Sequence, residues 1–576
     1  MTGARHRKPT FVIGALLFVV GCAWLARCAQ LTRTAYRELR SAQQHLGALR
    51  SKEAINEVLS AHSHEVLDAQ QSLHAARTAL HSAWLWPFHA GPLTHQQLQS
   101  ALDITDTTSA IVDIAVDARP VTGGTQFASL NRAEQLIQIS TLARRLGAIV
   151  DHPRLGPTTA VAPQLLVVRR QLAETIARLR PTVDQANAAL PGLVIAADGP
   201  RHYLLVAANN AEMAAGSGLP LAVTTVDVHH GIVTFGTWKW SGDLVIPAGS
   251  APLAPELGAL WSFASPDTDI RRALVSPRFP STAPLIAAEY DAATGEHVDG
   301  VVLIDIVGLQ KIVAASPRAL QPGALAESQV IPELLHDQYV AVDSTLIGSH
   351  QQREEKLGEQ ARQAAKLLVA PDSNLPKLVR GLADAVAGRH VLMWSAHNEE
   401  QKAFAALHAD GELSQDSVMV NLQNVASNKL DWFARLSTDL RVDRGQDGMQ
   451  HVTATVTVTN PVPDGEPAYV AGPSSAARRY GQYVGYLTIN VPADATDLRL
   501  GNASPVIVRG VDGSTQVIGQ IVAIDAKATA TVTFHFTLPP AAHLLRIEPS
   551  ARFPGITWSY QGQQWLDDRP HSVALS

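Results

Sequence analysis

The residues best placed to do chemistry lie in the middle of the chain. Asn209 and Asn210 stand beside Glu212, an arginine follows at Arg278, Asp299 precedes an apolar run, and Arg353 lies in a polar stretch. Carboxylates such as Glu212 and Asp227 supply the hard oxygen ligands that suit Mg²⁺, and arginines such as Arg278 and Arg353 suit phosphate. Each residue also has a plain structural reading. Asn209 and Asn210 can cap a turn through their side chains, Asp299-Gly300 and Asp305 can bracket a strand, and both arginines can be solvated. Gly216 and Gly218 can simply permit a tight backbone.

Other groupings carry less. Asp267-Thr268-Asp269 has the paired carboxylates that hold a metal-bound sugar nucleotide, but such a triplet arises often by chance. Trp238-Lys239-Trp240 could stack on a sugar face, yet half-buried strand aromatics are more usual. Of 22 histidines, His62/His64 and His229/His230 are adjacent or nearly so, without the carboxylate and second-histidine spacing of a metal site. No G-x-x-x-x-G-K-[ST], G-x-S-x-G, S-x-x-K or H-E-x-x-H pattern occurs, so the commonest nucleotide, serine-hydrolase and zincin signatures are missing. Lys and Arg number 46 against 52 Asp and Glu, a net charge of -6 that argues against nucleic acid as a partner. No cysteine follows Cys22 and Cys28, which excludes disulfide scaffolds, zinc ribbons and cysteine nucleophiles downstream.

The elements that must position these residues change character along the chain. Arg5, His6, Arg7 and Lys8 precede the uncharged stretch Phe11 to Ala26, which reads as a retained export signal inserted in the lipid bilayer, N-terminus inside and the bulk outside. A cleaved signal peptide, or lipidation at Cys22 after Val19-Val20-Gly21, are the alternatives. From Leu31 an apolar seam runs through Ala35, Leu39, Ala42, Leu46 and Leu49, then Val66, Ala69, Leu73, Ala76 and Leu80, which predicts long packed helices. After Pro191, short apolar strands at Tyr203–Ala207, Leu221–Asp227, Gly300–Asp305 and Val391–Trp394 alternate with helical segments, among them Gln351–Leu368 and Pro376–Ala387. The last part alternates with period two, as at Val452, Ala454, Val456, Val458 and at Val532, Phe534, Phe536, Leu538, with threonines opposite.

Asp198 to Met213 (DGPRHYLLVAANNAEM), followed by Gly216-Ser217-Gly218, resembles the family numbered 4012 among domains of unknown function. Ser276–Ser281 (SPRFPS), His297–Asp305 (HVDGVVLID), Met393–Gln401 (MWSAHNEEQ) and Asn424–Asp431 (NVASNKLD) resemble its later motifs in order, over roughly residues 190–560. The resemblance implies a membrane-anchored protein of Gram-positive cell envelopes. Met213-Ala-Ala-Gly216 lacks the arginine that the family carries after the Asn-Asn-Ala-Glu block, and Gly216-Ser217-Gly218 replaces its Gly-Gly pair. The order of elements is also distantly similar to LytR-CpsA-Psr cell-wall ligases, which hold a polyprenyl pyrophosphate between arginines and use aspartates with a divalent ion. That similarity implies that Arg353 binds phosphate, joined by Arg278, with Glu212 or Asp227 holding Mg²⁺.

The expectation is a multidomain chain: a transmembrane signal-anchor over 1–29, a helical stalk over 30–188, an α/β domain over 189–425 and an antiparallel, immunoglobulin-like β-sandwich over 426–576. The expected function is binding of an envelope glycan or a lipid-linked glycan. A phosphotransferase that attaches such a glycan to the wall, with Mg²⁺, is the alternative, so enzyme or binder stays open.

Overall fold

The apolar seam is buried where helices meet. The structure, a computed structural model, describes residues 9–50, 63–123, 127, 129–314, 327–340, 375–473 and 475–575. They divide into two compact units, Met1–Leu190 and Pro191–Ser576. In the first unit, α1 (Pro9–Arg50) packs along α2 (Ser63–Leu80), with Ala42, Val66 and Leu73 joined by Val112 of α3 (Pro92–Asp117). Helix α4 (Arg132–Asp151) begins with a capping box, in which Asn131 Oδ1 accepts from the Glu134 amide at 2.9 Å and Glu134 Oε2 accepts from the Asn131 amide at 3.0 Å. Val150 of α4 meets Ile176 and Val183 of α5 (Pro163–Asp198) in a further core.

The expected membrane anchor is corrected here. Among the described residues no helix is long and apolar enough to cross a membrane. The uncharged stretch Phe11 to Ala26 rises only about 24 Å, short of the ~30 Å hydrocarbon core. It continues without a break into the charged remainder of α1, which carries Arg27, Arg33, Arg37, Glu38 and Arg40. At its end, Trp24, Cys28 and Leu31 pack against Leu80, Leu85 and Leu98, so protein covers that face. A bilayer partner through Phe11 to Ala26 and a single-pass placement in the cell membrane with a cytoplasmic N-terminus go with the anchor.

The second unit is built on three sheets. The first runs in the order β3 (Ile232–Phe235), β2 (Ser217–His229), β1 (Arg201–Ala214), β5 (Gly300–Asp305), β6 (Val391–Ser395), with β4 (Lys239–Trp240) also on β2. Only β1 and β5 are parallel. On one face, Leu204, Val206 and Leu303 pack against Leu285 and Ile286 of α6 (Phe279–Thr294). On the other, Ile304 lies with Ile312 of α7 (Ile306–Ala314) and Leu378 of α8 (Leu375–Ala387). Helix α9 (Asn398–Ala406) follows β6.

The other two sheets face each other. One has the order β12 (Val506–Asp512), β13 (Thr515–Ile524), β10 (Tyr483–Pro492), β7 (Ser417–Asn424), β15 (Leu544–Ile547), β18 (His571–Ala574). The second has β11 (Thr496–Leu500), β14 (Thr529–Leu538), β9 (Gln450–Thr459), β8 (Arg435–Arg444), β16 (Thr557–Tyr560), β17 (Gln563–Leu566). Leu422, Leu487 and Ile518 of one meet Val456, Phe534 and Trp558 of the other in a single core.

The architecture is therefore α+β, which corrects both expected β-containing folds. The first sheet is mixed rather than α/β. The immunoglobulin-like, wholly antiparallel sandwich is replaced by two mixed sheets, because β15 runs parallel to β7 and β16 parallel to β8. Neither sheet closes on itself, their edges being β12 and β18, and β11 and β17. Val508 and Val517 also join the core of the first sheet.

Candidate functional site

The C-terminal ends of the parallel strands β1 and β5 are where an open sheet places ligands, and Asn209, Asn210 and Glu212 lie there. Irregular pairing between Asn209 and Met213 turns their side chains into the interior. Both asparagines are fully buried. Asn209 Oδ1 accepts from the Ala211 amide at 2.9 Å, and its Nδ2 donates to the Tyr339 hydroxyl at 2.8 Å. Asn210 Nδ2 donates to Asp305 Oδ2 at 2.7 Å and to the Ala551 carbonyl at 2.9 Å, and its Oδ1 accepts from the Ile306 amide at 3.2 Å. Asp305 precedes α7 as its cap: Oδ1 accepts from the Gly308 amide at 2.9 Å, while Oδ2 lies 2.8 Å from His390 Nδ1. A carboxylate acceptor places the imidazole proton on Nδ1.

A second buried carboxylate fastens β1 to the later strands. Asp431 Oδ2 accepts from the Met213 amide at 3.1 Å and from Asn424 Nδ2 at 2.8 Å. Its Oδ1 accepts from the Tyr483 hydroxyl at 2.9 Å and pairs with Arg552 Nη1 at 2.8 Å. Burial, with the Asp431 charge behind it, pushes the Tyr483 phenol well above its ordinary range. Glu212 pairs with the buried Lys429, whose Nζ lies 4.9 Å from the Tyr339 ring centroid and 5.3 Å from that of Tyr469. Burial pulls the Lys429 ammonium down, but the Glu212 charge overrides it and holds the group above its usual range. The ammonium is thus fixed as a cation between two rings.

The other expected site residues fall into separate clusters. Asp227 lies opposite His202 across the β1–β2 ladder, with His202 Nδ1 2.6 Å from its Oδ1. Asp299 sits at that same end, accepting from the His202 amide at 2.7 Å and lying 2.8 Å from His397 Nε2. Burial tends to raise Asp299, and the bonds from His397 and from the His202 amide outweigh it, leaving the carboxyl below its ordinary value. Arg278 grips Glu412 with two bonds of 2.7 and 3.1 Å and lies 3.5 Å from Asp512. Arg353 and the helix expected over Gln351–Leu368 lie outside the described residues.

Glu212 stands ten residues beyond His202 on β1, whose pairing is regular as far as Ala207, and that regular stretch alone separates Glu212 from Asp227 by about 15 Å or more at roughly 3.3 Å per residue. They do not share one ion, and no group of three or more His, Cys, Asp or Glu suited to a metal occurs among the described residues. Asp269 of the D-x-D triplet is engaged by Arg271, at 2.9, 3.0 and 2.6 Å. Sequence reasoning reached Lys429 and Asp431 only as letters of a motif, and it missed Tyr339, His390 and Arg552. The Asn424–Asp431 block is the signal that could have found the first two.

Residues 198–339 match the family model described as "Protein of unknown function (DUF4012)". No curated protein and no solved structure matches the chain. The matched segment holds β1, β2, β5 and the whole Asn209 to Glu212 block.

Proposed function

We propose that residues 191–576 act as a non-catalytic binding scaffold, and that the Asn209 to Glu212 block is its internal fastening rather than a reaction centre. One observation carries the reading: Asp431, fully buried, takes donors from β1, from Asn424, from Tyr483 and from Arg552 at once. Catalysis needs a group that keeps a lone pair or a proton for its substrate. Asn209, Asn210, Glu212, Asp305, Lys429 and Asp431 each engage a fixed internal partner instead. Buried ionic networks of this kind select one arrangement of elements, and removing one member leaves the other charge stranded.

The test is thermal unfolding of Asp431→Asn. The amide keeps the shape and removes the charge opposite Arg552. Stranding a buried cation costs about 3–5 kcal/mol, so the melting temperature falls by roughly 5 °C or more. Functional carboxylates are held at the expense of stability, and replacing one leaves the protein as stable or more so. An unchanged or raised melting temperature for Asp431→Asn therefore sinks the scaffold reading.

A further inference from the structure

Residues 327–340 form three short helical turns, Glu327–Pro332, Glu333–Asp337 and Gln338–Val340. Their apolar side chains Val330, Ile331, Leu334 and Leu335 share one core with Ala211 of β1 and with Ile306, Val307 and Val313 of α7. This strap therefore covers the C-terminal ends of β1 and β5, where an open sheet takes its ligands. It also reaches the later strands. The Tyr339 ring stacks on Tyr469, in the connection between β9 and β10, with centroids 5.8 Å apart.

His336 makes the second contact with that connection. Its Nε2 lies 3.3 and 3.2 Å from the two carboxylate oxygens of Glu466, and its Nδ1 lies 2.9 Å from Asp337 Oδ1. A neutral imidazole carries one N–H, so only the imidazolium donates on both sides. The ring stacks on Trp432, with 5.7 Å between centroids and 15° between planes, and stands edge-on to Phe433. An aromatic face suits a cation. The Glu466 side chain is 12% exposed, and among the described residues its carboxylate has no partner but His336. A neutral His336 keeps a hydrogen bond to one carboxylate and turns a lone pair to the other, and the Glu466 charge then has no counterpart. Of the other charged groups on the elements around the ring, Glu333 belongs to the same turn, Glu212 pairs with Lys429, Asp431 with Arg552 and Asp464 with Lys527. Arg435 donates to the Trp432 carbonyl at 3.1 Å.

We propose that residues 327–340 are a pH-sensitive strap over the strand ends, fastened when His336 is charged and loosened when it is neutral. Histidine side chains change charge between about pH 5 and 8. At the acid end of that window the imidazolium binds Glu466 and Asp337, and the strap is tied to the β9–β10 connection. At the basic end the apolar face still packs, but the tie is weakened and local opening becomes more frequent. Opening bares Ala211, Ile306 and Val307, so access to the ends of β1 and β5 rises with pH. This goes beyond the scaffold reading and does not depend on it.

Hydrogen exchange of the full chain at about pH 5.5 and 8, corrected for the intrinsic pH dependence of amide exchange, is the test. The parent is compared with His336→Gln, whose side chain hydrogen-bonds but carries no charge at either pH. At the lower pH the amides of residues 327–340 are expected to open about tenfold less often in the parent, the effect of one charge-assisted hydrogen bond. At the higher pH the two proteins agree. Glu466→Gln removes the counter-charge, leaves His336 in place and is expected to match His336→Gln. Amides of β10 report on the rest of the second unit and are the same in all three proteins. Equal protection of residues 327–340 in the parent and both variants at the lower pH, or a difference just as large at the higher pH, overturns the proposal. So does a loss of protection that β10 shares, since His336 then holds the whole fold rather than the strap.

Discussion

Glu289 is a carboxyl group held away from water. It lies on α6, fully buried. Burial, then the charges of Asp269 and Asp267, push its carboxyl up to about 9, with the Asp269 backbone amide working in the opposite direction. In the unfolded chain the same group titrates near its ordinary value of 4.5. Below that value both states hold the proton and the folded state keeps its full stability. Between about pH 4.5 and 9 only the folded state holds it, so stability falls as pH rises, with a limiting slope of about 1.4 kcal/mol per pH unit. Above about pH 9 the loss is complete. Glu289→Gln removes this dependence: its melting temperature, relative to the parent, rises steadily from pH 5 to pH 9. Parallel melting profiles for the two proteins across that range would show that Glu289 is not held protonated. Nothing in the sequence marks this residue, because Asp267 and Asp269 come from a loop some twenty positions earlier. Asp431 is similar: its letter stands in a quoted motif, but its partners Met213, Tyr483 and Arg552 are brought to it only by the fold.

At the scale of elements, local pattern translated well and partnership poorly. The spacing of Ala35, Ala42, Val66, Ala69, Leu73 and Ala76 gives a helical face, and all six are buried. The period-two residues of β9 and β14 likewise enter the core. What periodicity leaves open is which strand lies beside which, and in what direction. The parallel pairs β7 with β15 and β8 with β16 join residues more than a hundred positions apart, a distance at which alternation carries no information. The apolar stretch Phe11 to Ala26 misled for a related reason. Hydropathy registers apolar residues whatever covers them, and here the Cys28 end is covered by α2 and α3. The capping box of α4 is a strictly local feature with a local consequence. Asn131→Ala removes one bond and frees the Glu134 amide, at a cost of about 1 kcal/mol. Urea unfolding monitored by helical circular dichroism should report that loss, and Asn131→Asp or Asn131→Ser should recover most of it. Equal stability of the alanine variant would mean that the N-terminus of α4 is held by its packing alone.

At the scale of the whole molecule, the division at Leu190 and Pro191 makes a prediction about autonomy. The helical cores of the first unit draw on Val66, Leu73, Leu80 and Val150, all before that point. The cores of the second unit draw only on residues after it. The polar fastening is equally self-contained, since Asn209, Asn210, Asp305, Lys429, Asp431 and Arg552 all belong to the second unit. A body with its own apolar cores and its own buried ion pairs has what independent folding requires. Residues 191–576 produced alone are therefore expected to melt in one cooperative transition, within a few degrees of the matching transition in the full chain. Asp431→Asn should lower that transition by the same amount in both settings, because Met213, Asn424, Tyr483 and Arg552, which hold Asp431, all belong to the second unit. If the shorter chain binds a dye for exposed apolar surface and melts without cooperativity, the first unit supplies part of the second unit's stability. The scaffold would then be the whole chain rather than its last two thirds.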